Sequence, residues 1–113
     1  MGQSATADDV FHALSNPTRR KVLERLSAGP ATVSELAAPF DMQLPSFVQH
    51  LAVLEQSRLV RSHKRGRVRT YALAPERLTV LEDWLTARRQ EWEGRLDRFD
   101  HYVTQLKKKE SAS

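Results

Sequence analysis

A chain of 113 residues with 40% hydrophobic content and no cysteine has material for one modest core, and it excludes thiolate metal binding and thiol redox switching. No apolar run is long enough for a signal peptide or a membrane span, so a cytoplasmic location and no membrane partner are expected. The net charge of +4 is local: Arg58, Arg61, Lys64, Arg65, Arg67 and Arg69 stand in one stretch without a carboxylate, while the other 12 basic residues face all 14 acids.

In chain order, residues 1–6 read as a flexible tail and 7–15 as a first helix whose apolar side chains are Val10, Phe11 and Leu14. Asn16 is a good N-cap and Pro17 is preset for the first helical position. Val22, Leu23 and Leu26 then form an apolar stripe until Gly29-Pro30 stops the helix. Arg19 and Arg20 follow that start closely, and Asp8, Asp9 and Glu24 offset much of their charge, so neither is assigned to a phosphate.

Thr32-Val33-Ser34-Glu35 fits a capping box, with Val33, Leu36 and Ala37 as the apolar face and Pro39 as the stop. After a short turn at Phe40-Asp41-Met42, a second helix is expected from near Gln43, tolerating Pro45 in its first turn. Phe47, Val48, Leu51 and Leu54 fall at helical spacing and are expected to face inward. Gln43, Ser46, Gln49 and His50 are left on the outer face. Residues 32–57 thus predict a helix-turn-helix whose second helix reads DNA bases through amides and a hydroxyl, since no Arg or Lys lies between Gln43 and Glu55.

Residues 59–73 read as a β-hairpin. Leu59, Val60 and Ser62 lead in, Arg65-Gly66 turn the chain, and Val68, Thr70, Tyr71 and Leu73 lead out. Like charges facing each other across a ribbon are destabilising, so a hairpin full of cations implies a partner that supplies anions. Nucleic acid fits best, with Arg61, Lys64, Arg65, Arg67 and Arg69 as the phosphate-binding side chains.

Ala74-Pro75-Glu76 breaks from the hairpin, after which a helix is expected over 78–106. At 1.5 Å per residue a helix of about 30 residues is ~45 Å long, more than one small domain can cover. Leu85, Trp92, Leu96, Phe99, Val103 and Leu106 lie on its apolar seam, which predicts a homodimer interface shared with Val10, Phe11 and Leu14 of the first helix. Residues 109–113 read as a second tail. The fold class expected is mainly α with a β-hairpin wing, a single winged helix-turn-helix domain over 7–108 with a long C-terminal dimerisation helix.

The run from Phe11 to Arg20, which includes Asn16-Pro17-Thr18-Arg19-Arg20, combines with Gln49-His50-Leu51-Ala52-Val53-Leu54, Leu59-Val60 and Gly66-Arg67-Val68-Arg69-Thr70-Tyr71. Together these resemble the ArsR/SmtB family of bacterial winged-helix transcriptional regulators over roughly Asp8 to Leu106. The resemblance implies a homodimeric repressor that binds double-stranded DNA near its own promoter and is released by a signal. Three positions depart from the family pattern. Glu35-Leu36-Ala37-Ala38 lacks the cysteines of its thiolate metal sensors, Val48 stands where Ser is frequent and either packs or meets a thymine methyl in place of a hydroxyl contact, and Arg58 replaces a common Gly after the recognition helix. A second metal arrangement of the family uses His and carboxylates on the last helix. Asp97, Asp100 and His101, with His12 on the first helix, are read instead as solvated or ion-paired, so no metal is assigned.

Two other functional classes fit the chain less well. The chain has no nucleophile beside a general base and no Gly-rich phosphate loop, so catalytic residues and cofactors are not expected. A winged-helix adaptor that docks proteins without reading DNA is the alternative, but an adaptor has no need of the uncompensated wing cations. The effector, small molecule or protein, is not legible.

Overall fold

The computed structural model describes residues 6–112. It divides into two units, Met1–Leu81 and Glu82–Ser113. The first contains α1 (Ala7–Leu14), α2 (Pro17–Leu26), β1 (Ala31–Thr32), α3 (Val33–Ala37), α4 (Leu44–Gln56), β2 (Val60–Arg65), β3 (Val68–Leu73) and a 3₁₀ turn (Pro75–Arg77). Helix α5 (Leu78–Ala112) begins in it and supplies all the described residues of the second.

The helix starts are local chemistry. Thr6 and Asp9 form a capping box on α1, and Thr32 and Glu35 form one on α3. At α2 the Asn16 side chain accepts from the Thr18 and Arg19 amides at 2.9 and 3.2 Å, while Pro17 opens the first turn. Gln43 is the N-cap of α4 but makes no side-chain capping bond, and Pro45 sits in the first turn.

Helix α4 ends in a Schellman arrangement. The Leu59 amide donates to the Leu54 carbonyl at 3.1 Å and the Arg58 amide to the Glu55 carbonyl at 3.0 Å. That geometry needs a left-handed residue between Ser57 and Leu59, and Arg58 supplies it at φ 63°. The non-glycine cap costs about 1–2 kcal/mol, and burial of both Leu54 and Leu59 against the core offsets it.

Val10, Val22, Leu26, Leu36, Phe47, Leu51, Leu54, Leu59, Val60 and Tyr71 belong to one core, with Phe40 tilted against Phe47 at 5.3 Å. Val10 was expected at a dimer interface, yet it is 0% exposed inside this core. Leu14 also packs on the core, whereas Phe11 reaches the surface. Val48 corrects the other way. Expected inward, it is 42% exposed, because Phe47, Leu51 and Leu54 already fill the buried side of α4.

The sheet is antiparallel in the order β1-β3-β2. The third strand, β1, was not expected. It is two residues long and pairs Ala31 with Tyr71 and Thr32 with Thr70, using residues whose sequence signal is that of a helix cap. The β2–β3 register pairs Arg65 with Val68, so the turn residues are Gly66 and Arg67 rather than Arg65 and Gly66. Gly66 has φ 64°, and a positive φ at the first central position is the type II′ requirement that favours glycine there.

Helix α5 has 35 residues, none of them buried. Past the expected end at Leu106 it continues to Ala112, through residues that include Lys107, Lys108 and Lys109, good helix formers whose charge suits a helix C-terminus. Leu85, Trp92, Leu96, Phe99 and Leu106 are exposed, Val103 is half-buried, and Tyr102 adds an exposed ring beside them. Arg88 holds the seam position between Leu85 and Trp92. It lies 5.3 Å from the Trp84 ring and bonds Glu91 at 3.1 Å. No helix among the described residues is long and apolar enough to cross a membrane.

Candidate nucleic-acid interface

Two elements of the first unit present the expected DNA-facing residues, and they differ in chemistry. On α4, Gln43, Ser46 and Gln49 are exposed and His50 is half-buried. Leu44, Val48 and Ala52 are exposed on the same helix at four-residue spacing, so the accessible surface is mixed: amides and a hydroxyl beside three apolar side chains. An exposed Val can meet a thymine methyl, and of the two alternatives open for Val48 its exposure favours this one over packing. The sequence signal was available, since Leu44, Val48 and Ala52 share a helical row, but inward packing competed for the same spacing.

The wing carries the cations. Its register places Lys64 directly opposite Arg69, with Arg65 beside the turn and Arg67 in it. Like charges in register cost a few tenths of a kcal/mol to ~1 kcal/mol in an isolated hairpin. Not every cation is uncompensated, however. Arg61 donates to Glu76 at 2.7 Å, a pair whose two side chains are both largely exposed. Arg69 donates to the Ser62 hydroxyl at 2.7 Å, and that hydroxyl donates onward to a Glu55 carboxylate oxygen at 2.5 Å. This relay ties the wing to the C-terminal half of α4. Lys64, Arg65 and Arg67 form no ion pair among the described residues, so the unneutralised charge gathers at the tip. Partners from Glu55 and Glu76 could not be read from a stretch that itself contains no acid.

Behind α4 lies an arrangement that the sequence did not disclose. Asn16 and Pro17 turn the chain so that Arg19 passes beneath the end of α1. Its Nε donates to the Ala13 carbonyl at 2.7 Å and its Nη2 to the His12 carbonyl at 2.9 Å. Arg20 donates to the Leu14 carbonyl at 2.7 Å. The paired arginines therefore donate to carbonyls in the last turn of α1, where the His12 carbonyl also accepts from Ser15. Arg19 is 7% exposed, and burial lowers its pKa. Its remaining nitrogen, Nη1, lies 3.0 Å from Nδ1 of His50 on α4. His50 is held below the usual histidine range, first by burial and second by the adjacent Arg19 charge. Glu35 is lowered by its hydrogen bonds to Thr32, backbone and then side chain. Tyr71 is raised, mainly by burial and then by Glu55.

Asp97, Asp100 and His101 lie on α5, and His12 on α1. Among the described residues no group of three or more His, Asp or Glu side chains is placed to share a metal ion.

A protein-family profile described as a helix-turn-helix domain matches residues 14–63, the span from the end of α1 into the wing. The chain is 38% identical over 76 residues to the transcriptional repressor SdpR of Bacillus subtilis, covering 67% of this chain and 81% of that protein. It is 40% identical over 81 residues to the HTH-type transcriptional regulator Rv2034 of Mycobacterium tuberculosis, covering 72% and 76%. Among solved structures, that of an ArsR family transcriptional regulator is 57% identical and superposes with a TM-score of 0.74, covering 76% of this chain and 89% of the other. The helix-turn-helix, the basic wing and this extent of similarity place the chain in the ArsR family of DNA-binding transcriptional regulators.

Proposed function

We propose that the protein is a homodimeric repressor whose α4 reads bases in the major groove while the wing grips the phosphate backbone. The observation that carries this reading is the division of labour between the two elements. Helix α4 presents Gln43, Ser46, Val48 and Gln49 without a cation, and the hairpin gathers Lys64, Arg65 and Arg67 at its tip with Lys64 facing Arg69. Amides and hydroxyls discriminate bases, whereas cations bind phosphates regardless of sequence. Residues 7–108 act as one winged helix-turn-helix module, and the seam of α5 from Leu85 through Leu106 supplies the contact with a second copy. A helix of 35 residues with no buried side chain supports that role. The sign of regulation follows the named repressor among the relatives. No resident cofactor, metal or catalytic step enters this reading.

Fluorescence anisotropy on the DNA upstream of the protein's own gene, against a scrambled duplex and across a salt series, tests it. Expected is preferential binding whose logarithm falls with log salt by about 0.9 per phosphate contact. Equal, weak binding to both duplexes would shift the assignment to a protein-docking adaptor.

A further inference from the structure

The Arg19–His50 contact assigns a chemistry to the recognition helix that residue type alone leaves open. A neutral imidazole can present either a donor or a lone pair, and which one faces outward depends on where its proton sits. A guanidinium has donors and no acceptor, so Nδ1 of His50, 3.0 Å from Arg19 Nη1, must be the lone-pair nitrogen. The proton of the neutral ring then lies on Nε2. Arg19 is not free to swing away, because two α1 carbonyls, Ala13 and His12, hold Nε and Nη2.

We propose that Arg19 is a positioning residue for DNA reading, locking His50 as an uncharged Nε2–H donor aimed at a base acceptor in the major groove. This rests on α4 being the base-reading helix. His50 lies one turn after the exposed Ser46 and is only half-buried, and with Nδ1 engaged by Arg19 the nitrogen left for an outside partner is Nε2. Guanine N7 or O6, adenine N7 and thymine O4 accept such a donor, while cytosine, which presents only its amino group there, offers it nothing. Because the ring stays neutral, the contact adds base preference without adding to phosphate attraction. Burial and the neighbouring Arg19 charge, which keep His50 below the usual histidine range, support the neutral form.

The test combines spectroscopy and selection on the full chain. Long-range ¹H–¹⁵N correlation on histidine-labelled protein at neutral pH should show His50 protonated on Nε2 alone, and Arg19→Met should turn it into a mixture of the two tautomers. A mixed or Nδ1-protonated ring in the unmodified protein overturns the proposal. Arg19→Met also strips donors from α1 and could unfold the chain, so His50 is varied separately. Asn keeps an acceptor toward Arg19 but loses the outward donor, whereas Gln places an amide N–H near the imidazole Nε2. In selection from a randomised duplex library, His50→Asn should lose about tenfold discrimination at one base position, with its thermal midpoint, its preferences elsewhere and its salt slope retained. His50→Gln should restore the lost preference. Unchanged preference in His50→Asn overturns the donor role, and a uniform loss across sequences with a smaller salt slope assigns His50 to phosphate instead. Absence of any sequence preference in the unmodified protein removes the α4 reading itself, an outcome distinct from both because the tautomer measurement would still stand.

Discussion

Between Met1 and Leu81, Phe47, Leu51 and Leu54 are sealed from water; from Glu82 onward, Trp92, Leu96 and Phe99 are apolar yet more than half exposed. The first unit stabilises itself by closing several short elements around one another. A lone helix cannot do this, because nothing in its own unit can cover its seam. The contrast teaches that stability should depend on protein concentration for one set of apolar residues and not for the other.

The sharpest break of that contrast is Phe47→Ala. It should cost the first unit about 3–5 kcal/mol, seen as a fall in urea midpoint that is the same at low and high protein concentration. Leu96→Glu comes next. It should weaken self-association by about 100-fold or more, roughly 3 kcal/mol, in sedimentation equilibrium, while near-ultraviolet and amide-exchange signals of the first unit persist. A monomer in the unmodified protein, or a collapse of the first unit in Leu96→Glu, would remove the distinction.

Smaller effects sharpen it within the first unit. Arg65→Gln and Arg67→Gln should leave folding intact and each lower the salt slope of DNA binding by about 0.9. Arg61→Gln should matter less, because Glu76 already engages that guanidinium. Arg58→Gly relieves a left-handed arginine and should raise stability by about 1 kcal/mol, measured by chemical denaturation; no gain would mean that contacts of the Arg58 side chain offset its backbone strain.

The least effect is that of pH. Unfolded His50 takes up a proton near the ordinary value of ~6.5, whereas folded His50 does so only at lower pH, because of burial and then Arg19. Between those two values the unfolded state binds more protons, so stability falls as pH drops through that window, and above ~6.5 the residue contributes nothing. The fall in urea midpoint between pH 7 and pH 5 should shrink in His50→Gln.

Much of the fold is written in short-range signals. Asn16-Pro17, the Thr32–Glu35 box and the Val22–Leu26 stripe each act within one or two turns, so the starts of α2 and α3 and the apolar part of the buried side of α2 are visible from local pattern. The cation-rich hairpin and the cation-free outer face of α4 are equally local. The long apolar spacing of α5 is legible too, and so is its excess over what one domain can bury.

Other features depend on which distant segments meet, and local pattern carries no information about that. Val10 and Val48 both satisfy helical spacing, yet packing put one wholly inside and left the other at the surface. Strand β1 exists because β3 lies beside residues that would otherwise only cap α3. Glu76 and Glu55 reach the wing from outside its own stretch. Arg19 and His50 lie 31 residues apart; alone, Arg19 reads as a partly offset surface cation and His50 as a base-reading residue, and neither reading points to the other. Their pairing follows from α2 crossing under α1 and against α4, because a buried guanidinium is costly without acceptors, and Ala13, His12 and His50 supply one to each of its three nitrogens.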